Sequence, residues 1–202
     1  MDRKAWDKMI SASGLVIAVV LIVVGALAIY GGNFGRQSVQ DRLTPERVSF
    51  PPLSGMTAAE QASVGKYAGQ LVDTGPEAEA FSRYIAGHLA EVNGGKTYSE
   101  TSAAARADGL DAQTAADLSA KADTLFKGET LRSILLNAYG WWTVATIALF
   151  AGIFMVLAGI AMVFLSFLGF RHAGRREEPV MIKVPETENM RPNGSRLIKQ
   201  GS

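Results

Sequence analysis

The chain has no cysteine, two histidines, seven prolines in 202 residues, and only 19% charged residues. Without thiols there is no disulfide framework, no thiolate nucleophile, no cysteine-ligated zinc and no iron–sulfur cluster. An excess of one charge is missing too. Twenty Lys and Arg stand against 19 Asp and Glu, so no global field recruits nucleic acid. What the chain has in quantity is apolar surface: 48% of residues are hydrophobic, and they concentrate in two runs, the pattern of a membrane protein.

The first run is uncharged from Ser11 to Asn33, and Leu15 to Ile29 is almost pure Leu, Ile, Val and Ala. A helix rises about 1.5 Å per residue, so roughly 20 such residues cross roughly 30 Å of hydrocarbon. The second run holds 38 uncharged residues between Arg132 and Arg171 and is apolar from Trp141 to Phe170. It exceeds one bilayer thickness, so its helix must tilt or extend into water. The first run also has features of a cleaved signal peptide: a basic start and the small-x-small site Ala26-Leu27-Ala28. Its length favours an uncleaved anchor.

Flanking charge sets the expected orientation. Arg3, Lys4 and Lys8 precede the first run, and Arg171, Arg175 and Arg176 follow the second. Residues 31–139 carry 10 basic and 13 acidic groups, a net charge of −3. Positive-inside reasoning places both termini in the cytoplasm and the middle outside. The expected fold is therefore all-α: an antiparallel hairpin of two transmembrane helices with a small helical extracytoplasmic domain inserted between the spans. Its segments are a cytoplasmic N-terminus (1–13), a first span (14–33), an extracytoplasmic domain (34–138), a second span (139–170) and a disordered cytoplasmic tail (171–202). Within the tail, Val180, Ile182 and Val184 alternate with polar or flexible neighbours and could add a short strand to a partner.

Helix punctuation organises the middle. Phe34 to Thr44 reads as a continuation of the first span, and Val48 to Pro52 as extended chain, because proline restricts itself and its predecessor. Thr57 with Glu60, and Thr97 with Glu100, are capping boxes; the first opens a helix over 57–70. Pro76 starts a helix capped by Thr74 or Gly75, with Phe81, Tyr84, Ile85, His88, Leu89 and Val92 on one face. Gly94 and Gly95 end it. A further helix runs from Asp111 with Ala115, Leu118, Ala122, Leu125 and Phe126 on its face, and Gly128 is expected to interrupt it. The domain is poor in large apolar residues, so its stability should lean on the tethering helices, the membrane surface or a partner.

Motifs of chemistry are few. Ala90 to Thr97 fits a relaxed nucleotide-loop pattern, but that chemistry needs a buried strand before the loop, and here a helix precedes it. A helix stop followed by a helix start accounts for every residue. His88 and Glu91 are three apart, a possible ligand pair, although a lone hydrogen-bonded histidine is the commoner arrangement. One histidine between the spans supports no Ser-His-Asp set. No cofactor, nucleotide or nucleic-acid site is assigned.

The most informative pattern lies in the spans. Ser11, Ala18, Gly25 and Gly32 recur every seventh residue, and so do Ala145, Gly152, Gly159 and Ser166. Small residues at that spacing keep one face along a left-handed crossing and let backbones approach. They are the candidate helix-packing residues, facing either each other or a partner protein. Tyr139, Trp141 and Trp142 are candidate headgroup-level anchors at one end of the second span, with Arg171, Arg175 and Arg176 at the other. Neither span centre holds an ionisable group, which argues against a proton or ion path within this chain alone.

In the strings Tyr67-Ala68-Gly69-Gln70 to Gly94-Gly95-Lys96-Thr97-Tyr98, and Leu125-Phe126-Lys127-Gly128-Glu129-Thr130-Leu131-Arg132, the chain resembles a family of small actinobacterial membrane proteins. These have two spans and one extracytoplasmic helical loop, and the likeness covers roughly residues 10–170. Members often carry the label of aromatic ring-opening dioxygenase. Such enzymes hold iron with two His and a carboxylate, whereas this loop has one His. The resemblance therefore implies the layout and no catalytic residue.

Together these readings lead to a non-enzymatic accessory or scaffold subunit of a larger plasma-membrane complex, with respiratory or transport assemblies the kind to check first. Its partners are other integral membrane proteins and the lipid bilayer. The alternative is an extracytoplasmic sensor or small-ligand-binding membrane protein, with an apolar pocket near Phe81, Tyr84, Leu125 and Phe126. An enzyme built on His88 would need carboxylates from other helices converging on that ring.

Overall fold

A computed structural model describes residues 3–174. The tail residues 175–202, including Arg175, Arg176 and the Val180–Val184 alternation, lie outside the described residues. Five α-helices make up the described chain: α1 (Arg3–Leu43), α2 (Ala58–Val64), α3 (Gly75–Val92), α4 (Tyr98–Ala104) and α5 (Ala112–Gly174). No strand forms among the described residues beyond an isolated antiparallel bridge between Ser49 and Leu71. Two of the helices, α1 and α5, are long and apolar enough to cross a membrane.

α1 runs for 41 residues without a break. It ends where Pro45 removes a backbone donor. There the Thr44 hydroxyl donates back to the Gln40 carbonyl at 2.8 Å, and Arg47 turns the chain with a positive φ of 52°. The Val48–Pro52 stretch is extended, with Phe50 N–H donating to Gln70 O at 2.9 Å and Val72 N–H to Val48 O at 2.8 Å. These bonds fold residues 48–52 and 70–72 together and aim the Phe50 ring inward, where it is 2% exposed.

Capping boxes start α2 and α4. Thr57 and Thr97 each accept from the N–H of a glutamate three residues on, and Glu60 and Glu100 each reach back to the threonine N–H, at 2.7 and 2.8 Å. α2 is shorter than the 57–70 expectation. It stops at Val64 and passes into a 3-10 turn over Gly65–Tyr67, because glycine is a poor helix former and Val64 is drawn fully into the core. α3 stops at Val92, and Gly94 and Gly95, both at positive φ (62° and 78°), turn the chain before Thr97 caps the next helix.

The expected interruption at Gly128 does not occur: α5 is continuous for 63 residues, a length of roughly 95 Å. Gly128 instead forms a notch filled by the Leu89 side chain of α3, where a Cβ would collide with the Leu89 methyls. That packing offsets the roughly 1 kcal/mol helix penalty of glycine. A second notch at Gly75 lets the start of α3 lie directly on the Trp142 side chain. Between them Arg132 Nε donates to Ser82 O at 3.2 Å. α3 therefore lies antiparallel along the 128–142 stretch of α5.

The core formed by the segment between α1 and α5 is small. Phe50, Met56, Val64, Val72, Ala78 and Ala80 are its buried members, and Leu43 of α1 and Leu135 and Ala138 of α5 pack against them. Aromatic rings line up through it: Tyr67 stacks on Phe50 at 5.3 Å, Phe81 meets Phe50 edge-on at 5.1 Å, and Tyr84 follows Phe81 at 5.5 Å. His88, which the periodicity puts on the buried face, is exposed at the end of this row. The inner face of α3 is set by the small Ala78 and Ser82 and by Leu89, all buried, and the rings occupy its flank.

Phe50→Ala should cost about 3–5 kcal/mol by emptying the centre of this row. Hydrogen exchange on the full chain in detergent should then rise across residues 48–92 and stay slow in the apolar stretches of α1 and α5.

Candidate functional site

The candidate site begins at the contact between α1 and α5. Ser11, Ala18, Gly25 and Gly32 are buried, and so are Ala145, Gly152, Gly159 and Ser166. The structure sets the two series against each other in opposite chain directions. A Cβ placed on Gly25 would lie 2.8 Å from Gly152 O, and one on Gly152 would lie 2.6 Å from Gly25 O. Gly32 meets Ala145 O in the same way at 2.6 Å, and Gly159 meets Ala18 O at 2.9 Å. At these four points backbone touches backbone, so any side chain beyond hydrogen would force the helices apart.

The seam has a second line that the seven-residue series missed. Gly14, Leu21, Ala28 and Gly35 are half-buried beside the first line. Gly14 lies against Ser166 and Gly35 against Ala145, while Gly169 abuts Ser11. Their spacing of three or four from the first line is the a/d pattern of a heptad, the signal that could have found them. Val39 extends the first line by one more heptad and is buried at the top of the seam.

The candidate aromatic anchors divide. Trp141 is 64% exposed, whereas Trp142 turns inward. The Arg36 guanidinium sits 4.6 Å from the centre of the Trp142 ring, a cation–π contact, and Arg36 Nε is buried without a hydrogen-bond partner. Tyr139 and Arg171 are exposed.

Alongside the upper glycines and beyond them, a cleft of about 980 Å³ opens between α1, α3 and α5. Its floor is Gly31, Val144 and Ala148, and Arg42 and Glu46 stand at its top. The expected pocket near Phe81, Tyr84, Leu125 and Phe126 is displaced. Phe81 lines the cleft, but Tyr84 packs against the core, Leu125 is buried, and Phe126 borders a separate small recess with Tyr98 and Arg106.

Polar groups near the cleft are tied to local structure. Glu77 accepts from the backbone N–H of Thr74 at 2.9 Å and of Asp73 at 3.1 Å. Burial works against the Glu77 carboxylate, yet those donors hold it below its usual range. Burial raises the neighbouring Asp73 carboxyl, and its hydrogen bond to Glu77 and the Glu77 charge add to this, while Gln40 of α1 opposes it. His88 pairs with Glu60 rather than Glu91: its Nε2 lies 3.4 Å from Glu60 Oε1, and its Nδ1 is 3.1 Å from Tyr84 O. No group of three or more His, Asp or Glu side chains among the described residues is arranged to hold a metal ion.

Two outcomes follow. The Cβ built at Gly14 is 4.0 Å from that of Ser166, inside disulfide range. Gly14→Cys with Ser166→Cys should therefore form an intrachain disulfide on mild oxidation, seen as a reducible mobility shift, and Val16→Cys with Ser166→Cys should not. Asp73→Asn should raise the melting temperature at pH 7. Folding raises the Asp73 pKa, so its ionised form opposes folding at neutral pH, and that opposition fades as pH falls through the raised value. The advantage of Asp73→Asn should shrink over the same fall and vanish below the ordinary aspartate range.

No protein-family model matches the chain, and no curated protein or solved structure is significantly similar to it.

Proposed function

We propose that the chain is a two-span plasma-membrane protein and a non-enzymatic accessory subunit of a larger membrane complex. α1 and α5 form an antiparallel transmembrane hairpin, both termini are cytoplasmic, and residues 34–138 form a helical extracytoplasmic domain. The observation that carries the reading is how the side chains are used. Among the described residues, Glu60, Glu77, Glu100 and Asp111 serve helix starts. Glu79, Asp117, Asp123 and Glu129 pair with a base three or four residues along the same helix. The seam consumes the small-residue faces. What is left outward on the spans is large and apolar, such as Phe154 (72% exposed) and Phe164 (63%). Such a surface suits contact with lipid and with other membrane helices. α5 also supplies more apolar length than one bilayer needs.

The cleft favours a second reading, a membrane protein that binds a small ligand on its outer side.

Purification of the tagged full-length chain from its native membrane in mild detergent should retain integral-membrane partners in fixed stoichiometry, identified by mass spectrometry. A lone monomer, found again after cross-linking in cells, would overturn the subunit reading. In intact cells Ala107→Cys should react with a membrane-impermeant maleimide; labelling only after lysis would reverse the topology.

A further inference from the structure

The cleft joins two environments. Its floor at Gly31, Val144 and Ala148 lies within the charge-free stretches of both long helices, and its top reaches Arg42 and Glu46. About 17 Å of helix separates Gly31 from Arg42. The walls along that rise are apolar, with Phe34, Phe81 and Leu135 from three different helices. On the membrane reading given above, the floor opens at the depth of hydrocarbon. Such a cleft is in contact with a solvent made of acyl chains, and a chain enters it without crossing water. Its volume of about 980 Å³ is at the large end for a ligand site and suits a long flexible apolar ligand.

The top supplies the second half of the match. Arg42 borders the cleft and makes no ion pair within 4.0 Å with any described carboxylate. A guanidinium presents a planar fork of donors suited to phosphate oxygens. Glu46, one turn farther on, can accept from a headgroup amine or hydroxyl. A neutral isoprenoid would leave Arg42 unused, and free phosphate would leave the apolar walls empty.

We infer that the cleft binds one phospholipid of the outer leaflet, an acyl chain lying between α1, α3 and α5 and the phosphate at Arg42. Arg42 stands two turns above Gly35, the last residue before the first charge of the outer region. The bound lipid is therefore raised out of its leaflet and fills the gap between the outer helices and the membrane.

The test uses the full chain. Carbonate washing of membranes comes first: release of the protein defeats the membrane reading and this inference with it. Retained protein is then taken into mild detergent, and bound lipid is counted by native mass spectrometry. One phospholipid should persist on the unaltered chain. Ala148→Phe, which fills the floor, should reduce its occupancy at least tenfold, and so should Ser38→Phe, midway up the wall. Val20→Phe adds bulk on the exposed face of α1 and should change nothing. Arg42→Gln should lose the preference for phosphatidylglycerol over diacylglycerol added in competition. A membrane-retained protein that holds no lipid overturns the inference alone. Equal loss, or no loss, across the Ala148, Ser38 and Val20 variants assigns the lipid to the general surface and overturns it too. Equal binding of diacylglycerol by the unaltered chain overturns the headgroup assignment. A cleft variant whose circular dichroism differs from the unaltered chain is set aside, and the other decides.

Discussion

The backbone-to-backbone contact at Gly25 and Gly152 is the constraint on which the rest of the molecule depends. Here neither helix carries a Cβ, so the backbones close up, and the facing glycines fix register as well as distance. With Gly25 opposite Gly152, the antiparallel run brings Gly32 to Ala145 and Gly35 to the same alanine. One turn above, the larger Arg36 and Trp142 must share the space, and they do so ring under guanidinium. Trp142 in turn receives the start of α3 at Gly75. The position of α3 is thus inherited from the seam through a short chain of contacts.

Above the seam the same logic runs in reverse. Phe34, Ser38 and Arg42 on α1, and Leu131, Ile134 and Trp141 on α5, line open space. The third helix at this level, α3, closes only one side. A cleft is the geometric result of two helices held together at their glycines and met above by a shorter one. The core is correspondingly modest, and it borrows Leu43, Leu135 and Ala138 from the long helices. A region that small would be marginal on its own, and caps at Glu60, Glu77, Glu100 and Asp111 with short pairs at Glu79, Asp117, Asp123 and Glu129 tighten its individual helices.

Much of this is local and therefore legible in the chain. The capping boxes at Thr57 and Thr97 depend on residues three apart, and the structure has both. The two apolar runs are compositional, and they form two helices of the required length and hydropathy. Gly128 misleads because its effect is decided by Leu89 from another helix, not by its neighbours in sequence. His88 misleads for a related reason: α3 presents small residues to α5, so the face that a hydropathy pattern marks as inner is rotated away from the true contact. Phe50 carries no periodic signal at all. It lies in an extended stretch beside two prolines, and only the pairing of residues 48–50 with 70–72 turns it into the centre of the core.

The sequence by itself determined helix class, the capped helix starts at Thr57 and Thr97, the two apolar lengths and the seven-residue recurrence of small side chains, because each depends on neighbours within about two turns. Tertiary structure alone decided which surface the small residues meet, which tryptophan faces outward, and where a cavity remains. Those outcomes follow from the register between elements more than a hundred residues apart. Register is set by how closely two backbones can approach, which no single segment specifies.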